Sequence, residues 1–274
     1  MIIEKEILDA QRLNIAMKAA RAAGQLIASF TADCEVKFKG SRDVVTAADL
    51  ASQDLIVQMI RDVFPDDEIV AEEGLLQVPQ SGYWVVDPLD GTVNFSRGLP
   101  LYGVSIAYVD AEGQLRAGAI YLPVFDELYS ASLGRGAFLN GQGISVSGTD
   151  KMEHALVNIS DFNTGPEHQR EDYNDLKMQA IQQVHACCMR TKNLSSAAVE
   201  LAWVAEGRLD AYLMVFCHFW DAAAGTLLIR EAGGRVSDLT GEPLGADSTL
   251  VLTSNHALHE PLREVFGSLS KKCT

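Results

Sequence analysis

The sequence has no apolar run near the roughly 18 residues that a bilayer-spanning helix requires. It also lacks a basic surplus: 22 Lys and Arg stand against 37 Asp and Glu, a formal charge of −15. A nucleic-acid backbone calls for a basic footprint, so neither nucleic acid nor membrane is expected as a partner. Five cysteines (Cys34, Cys187, Cys188, Cys217, Cys273) show no C-x-x-C spacing, and their odd number fits reduced thiols better than a disulfide framework. Cys187-Cys188 reads as two buried small hydrophobes or, alternatively, as a redox pair. Low-complexity linkers, internal repeats and long blocks of like charge are missing as well. The first residues, Met1-Ile2-Ile3-Glu4-Lys5-Glu6, carry charge where a signal peptide would be apolar, so a soluble, cytoplasmic protein is the expectation.

What the chain does have is enough apolar residues, 47% of 274, for a substantial core. Apolar spacing of three and four from Ile7 to Ile27 predicts an amphipathic helix, and Leu50 to Val63 predicts a second that ends at Pro65 and pairs with the first. The period then changes. Strands are expected at Tyr83–Val86, Tyr102–Tyr108, Arg116–Tyr121, Glu127–Ser132 and, after a tight Asn140-Gly141 turn, Ile144–Ser147. Later, strands at Leu156–Ile159, Ala211–Val215, Val236–Asp238 and Thr249–Thr253 alternate with helices at Pro166–Gln183, Ser196–Glu206, Asp221–Ala232 and His256–Leu269. The pattern is of mixed helix and sheet layers in one domain, 1–274, with a soft subdivision near 150 into 1–150 and 151–274.

A strongly acidic chain can hold a phosphate if divalent cations lie between its carboxylates and the phosphate oxygens. Four acidic stretches therefore matter: Asp49, Glu72-Glu73-Gly74, Asp87-Pro88-Leu89-Asp90-Gly91-Thr92 and Trp220-Asp221. In the third, a strand runs into two carboxylates on a tight turn set by Pro88 and Gly91. A helix starting at Thr92 would aim the N–H groups of Gly91 and Thr92 at an anion. Oxygen ligands from Glu72, Asp87, Asp90 and Asp221 suit magnesium, and two ions about 3.5–4 Å apart are a recurrent device of phosphoryl transfer. Each residue also has a plainer reading: Asp87 as a turn residue, Glu72-Glu73 as a solvated pair, Asp49 and Asp221 as helix caps.

The stretches Asp43–Asp49, Ala71-Glu72-Glu73, Trp84–Phe95, Gly134–Gly141, Trp220–Gly225 and Glu231–Gly234 resemble the inositol monophosphatase family over nearly the whole chain. The resemblance implies an α/β class fold, the layered α/β/α/β/α sandwich of the inositol monophosphatase and fructose-1,6-bisphosphatase type. It also implies a homodimer, common lithium sensitivity, and two or three Mg2+ ions, with Mn2+ able to substitute. Glu72, Asp87 and the Leu89 carbonyl would hold one ion, and Asp87, Asp90 and Asp221 a second. A third, weaker ion would sit near Glu72. Thr92 would orient the attacking water and Asp49 would accept its proton through the hydroxyl, with Glu72 also in the catalytic set. Asp90, Gly91, Thr92, Ser195, Ser196, Ala197 and Asp221 would surround the substrate, a small phosphorylated metabolite. Inositol monophosphate leads; fructose 1,6-bisphosphate, adenosine 3′,5′-bisphosphate and histidinol phosphate are the alternatives, and a non-catalytic regulatory role on the same fold is a further one.

Two positions depart from the family pattern. Met214 stands where inositol-specific relatives place a glutamate that binds ring hydroxyls, and a thioether cannot take two hydroxyl donors. Ser195 replaces a glycine. His218 is read either as a ligand or acid or as a hydrogen-bonded core histidine. Lys39 and Arg42 form a basic loop that either attracts phosphate or is simply solvated. Trp203 and Trp220 are expected to pack.

Overall fold

Strands buried on both faces build the molecule in layers. The structure is a computed structural model that describes residues 2–30, 36–39, 44–74, 79–246 and 248–267, with side chains from residue 5. Helix α1 (Ile2–Ser29) buries Ile27 together with Ala16, Ala19, Ala20 and Ala23, four small residues at helical spacing that let it lie close to a sheet. A two-stranded ribbon follows, β1 (Val36–Phe38) with β2 (Val44–Thr46), and leads into α2 (Ala47–Arg61). Next come β3 (Glu68–Ala71), β4 (Tyr83–Asp90), a short α3 (Thr92–Ser96), β5 (Gly103–Val109), β6 (Leu115–Leu122), β7 (Glu127–Ser132), β8 (Ala137–Leu139) and β9 (Gln142–Ile144). These seven strands form one sheet in chain order, with β3 parallel to β4 and the rest antiparallel.

The chain then enters a second sheet. It consists of β10 (Leu156–Ile159), α4 (Arg170–His185), β11 (Arg190–Lys192), α5 (Ala197–Glu206), β12 (Ala211–Val215), α6 (Phe219–Glu231), β13 (Arg235–Ser237), β14 (Leu250–Ser254) and α7 (His259–Gly267), with strand order β11-β10-β12-β14-β13.

The period of two sorts each strand's side chains into different cores. On β4, Trp84 and Val86 join the α1–α2 core, while Tyr83 and Val85 join the core shared with α5 and α6. On β12, Tyr212 and Met214 face that same central core, while Ala211, Leu213 and Val215 face α4 and α7. The result is helix, sheet, helix, sheet, helix: the α/β/α/β/α sandwich. Gly225 is required at its centre, since a Cβ there would come within 2.4 Å of Leu201, where α5 and α6 cross.

Several expectations shift. After Ile144 the chain leaves the sheet, because the Val146 N–H donates to the Ala232 carbonyl at the end of α6 (3.1 Å). Pro166 to Gln169 form a turn ahead of α4. The strands β1, β2, β3 and β11 were not expected; at three or four residues each they are too short to show alternation. Cys187 and Cys188 are half-buried free thiols rather than buried ones, and Cys217 is buried. Cys34, Cys273, Arg42 and Asp43 lie outside the described residues. Among the described residues, no helix is long and apolar enough to cross a membrane.

Candidate active site

The end of β4 is bulged, not a free turn. Asp87 pairs with Ser105 and Asp90 with Gly103, so three steps on β4 oppose two on β5. Pro88 is tolerated in the irregularity because no ladder bond needs its missing N–H. Its carbonyl accepts from Ser52 Oγ (2.6 Å), and Leu89 N–H donates to Asp87 Oδ1 (3.1 Å). Gly91 makes the turn as expected, with φ 86°, and α3 begins at Thr92. A Cβ on Gly91 would lie 2.8 Å from the Leu101 carbonyl.

Asp49 satisfies both of its readings. It closes a capping box on α2, with Oδ2 accepting from Thr46 N–H (2.8 Å) and Thr46 Oγ1 (2.6 Å). Its other oxygen accepts from Thr92 Oγ1 at 2.9 Å, a hydroxyl that also lies 3.0 Å from the Leu89 carbonyl. Burial raises the Asp49 pKa, against the opposing bonds from Thr46 and Thr92. The cap is also a buried carboxylate one hydrogen bond from a hydroxyl.

Asp87 is 2% exposed, and burial raises its pKa well above the usual range. The charges of Glu72, Asp90, Asp221 and Asp49 push it further in the same direction, so the topology brings all five carboxylates into one electrostatic neighbourhood. Glu72 follows β3 and is half-buried, not a solvated surface residue; its pKa is pushed up to about 7, by burial first. Lys39 Nζ donates to Glu72 Oε1 at 2.9 Å and also pairs with Glu73. The one described member of the basic loop is therefore committed to the carboxylates.

Asp90 accepts from Ser196 Oγ and from the N–H groups of Ala197 (3.1 Å) and Ala198 (2.9 Å), the first turn of α5. Burial raises its pKa and these bonds lower it. Asp221, in the first turn of α6, accepts from His218 N–H (2.8 Å). Among the described residues no three Asp, Glu, His or Cys side chains stand as a ready metal cage. Instead, carboxylate oxygens are turned to these hydrogen bonds. The donor chemistry nevertheless fits a hard divalent cation: buried carboxylates that disfavour one another's charge, beside the Leu89 carbonyl at the bulge.

The expected substrate loop is held by side chains that the sequence reading passed over. Asn94 Nδ2 donates to the carbonyls of Leu101 (2.8 Å), Leu194 (2.8 Å) and Ser195 (3.3 Å). Glu200 Oε1 accepts from Leu194 N–H (2.9 Å) and Asn158 Nδ2 (3.0 Å). Asn94 lies inside a quoted motif stretch, and Glu200 is a lone carboxylate in an apolar helix segment; both were signals. Ser195 has φ 58°, in the left-handed region, with its hydroxyl on Asn193 Oδ1 (3.1 Å). Ser196 is the N-cap of α5.

Other candidates resolve differently. Met214 is 2% exposed in the central core and pairs across the sheet with Val251. His218 is exposed and stacked on Trp220, so the core-histidine reading is corrected. Trp203 and Trp220 do pack against the central core. Glu231 accepts from the N–H groups of Gly134 (2.7 Å) and Gly136 (2.8 Å), so two motif stretches meet there in a structural clamp.

Fold and site together are those of a phosphatase. The model of the inositol monophosphatase family matches residues 9–270. The chain is 35% identical over 260 residues to the fructose-1,6-bisphosphatase/inositol-1-monophosphatase of Thermotoga maritima, covering 94% of this chain and 96% of that one. It is 40% identical over 234 residues to the Nus factor SuhB of Escherichia coli, covering 84% and 85%. A solved structure of the Thermotoga maritima IMPase matches with a TM-score of 0.86 at 32% identity, over 96% of this chain and 100% of that one. The chain belongs to the inositol monophosphatase family.

Proposed function

We propose that this protein is a magnesium-dependent phosphomonoesterase that hydrolyses a small phosphorylated metabolite by attack of water, without a covalent phosphoenzyme. The observation that carries the reading is the Thr92–Asp49 hydrogen bond (2.9 Å) beside the Asp87 carboxylate cluster. Glu72, Asp87 and the Leu89 carbonyl would hold one ion, Asp87, Asp90 and Asp221 another, and Glu72 a weaker third. When bound, such cations lower the pKa of water and offset charge on the phosphate oxygens.

The rest is done by the chain. Thr92 Oγ1 donates its hydrogen bond to Asp49 and so presents a lone pair that orients the attacking water, whose proton passes through the hydroxyl to Asp49. Asp49, raised in pKa by burial, is the better base for accepting that proton. Ser195, Ser196 and Ala197 border the phosphate and its organic group, although the Ser196 hydroxyl and the Ala197 N–H already serve Asp90.

Inositol monophosphate leads as a single substrate. A sugar bisphosphate is a second reading, favoured by the double name of the Thermotoga maritima relative, fructose-1,6-bisphosphatase/inositol-1-monophosphatase. A homodimer, lithium sensitivity and a cytoplasmic location belong to the same reading. The test is phosphate release from inositol phosphates, fructose 1,6-bisphosphate, adenosine 3′,5′-bisphosphate and histidinol phosphate. Release is expected with Mg2+ or Mn2+ and not with chelator. A well-folded preparation that hydrolyses none of them with metal would leave the non-catalytic role on this fold.

A further inference from the structure

The run from β12 into α6 carries an aromatic ladder that phosphate chemistry does not use. Tyr173, near the start of α4, meets Phe216 with ring centroids 5.2 Å apart. Phe216 meets His218 edge-on at 5.1 Å, and His218 stacks on Trp220 at 4.3 Å with 13° between planes. His218 is exposed; Phe216 and Trp220 are half-buried. The ladder adjoins the reaction centre through one bond, His218 N–H to Asp221 Oδ2 (2.8 Å).

Phe216 has φ 58°. A bulky residue is an outlier there, and glycine would hold the same backbone without strain. The ring is therefore placed at some conformational expense, between two other rings. Met214, two residues earlier, is turned into the core and offers nothing to hydroxyl groups.

We propose that Phe216, His218, Trp220 and Tyr173 form the subsite for the organic part of the substrate, and that this part carries a planar aromatic or heteroaromatic ring. The inference rests on the phosphatase reading and departs from inositol monophosphate as its leading substrate. A polyhydroxylated ring needs donors and acceptors around its rim, whereas π faces take a flat ring by offset stacking or edge contact.

The test compares two non-hydrolysable ligands of like size, 2-phenylethylphosphonate and 2-cyclohexylethylphosphonate, by calorimetry on the full chain with saturating Mg2+. The phenyl compound is expected to bind about fivefold tighter, the scale of one aromatic contact. Phe216→Leu, and separately His218→Ala on the exposed ring, should bring the ratio to about one. Equal affinities in the parent protein, no binding of either compound, or a preference that survives both substitutions would overturn the subsite. Phosphate release from 2-phenylethyl phosphate is measured alongside. Turnover without ring preference removes the subsite and leaves the phosphatase; ring preference without turnover does the reverse.

Discussion

Asp87 and Asp90 sit on a bulged strand of the seven-stranded sheet, whereas Ser195 and Phe216 sit on connections that follow strands of the five-stranded sheet. The two regions are held in different ways. On the first side each carboxylate is fixed by a regular backbone device: a bulge at Pro88 beside Asp87, a capping box at Asp49, and, from a hundred residues on, the first turn of α5 against Asp90. On the second side the backbone adopts left-handed conformations at Ser195 and Phe216, and the Ser195 loop is propped by Glu200 six residues on and by Asn94 a hundred residues back. The carboxylates thus rest on regular backbone devices, whereas Ser195 and Phe216 rest on loop backbone in a conformation that non-glycine residues rarely adopt.

The comparison breaks most visibly if the charge cluster tolerates substitution. Asp90→Asn should reduce turnover by at least about a hundredfold, on the scale of losing one electrostatic group aimed at the reacting centre. The amide still fills the space beside Ser196, so circular dichroism should show an intact fold. A thermal midpoint that rises with Mg2+ in the parent protein should rise less in the variant. Full activity would remove Asp90 from the site.

Met214→Glu separates the regions from the other side. A glutamate at that position would suit ring hydroxyls if the side chain faced the substrate. Met214 is instead packed in the central core, so the substitution buries a carboxylate with no partner. We expect destabilisation of about 3 kcal/mol or more, and no gain on inositol monophosphate. A stable variant with new activity on that ester would mean that position 214 faces the ring.

The legibility of the sequence follows the same division. The Asp87–Thr92 stretch, Asp49 and Asp221 could be read because a turn, a cap and a first-turn acid are written in neighbouring residues and occur together in the family's order, although the bulge was not foreseen. Mixed layers of helix and sheet could be read from short apolar runs such as Leu156–Ile159 and Ala211–Val215, while the sandwich itself followed from the family resemblance. The direction of Met214, the exposure of His218, the clamp by Asn94 and the strand β11 were hidden, since each depends on a segment distant in sequence. Asn94 reaches Leu194 across a hundred residues. No local pattern encodes that contact.

The smallest effect concerns the prop itself. Glu200 is 1% exposed, and its pKa is pushed up to about 8, by burial first, with bonds from Leu194, Tyr212 and Asn158 opposing. A carboxyl whose pKa is higher folded than unfolded binds more protons in the native state between the unfolded value, about 4.3, and about 8. Its contribution is complete below that window and is lost as pH rises through it. Glu200→Gln keeps an acceptor for Leu194 N–H and removes the titration. The difference in thermal midpoint between parent and variant should therefore favour the parent least at about pH 8 and above. It should change by several degrees across the window, at about 2–4 °C per kcal/mol for a chain of this size. Because Leu194 leads into Ser195, the variant should also change KM across a substrate panel more than kcat. A flat difference in midpoint with pH would show that Glu200 is already ionised in the fold, and the loop would then be held by a charge and not by a neutral acid.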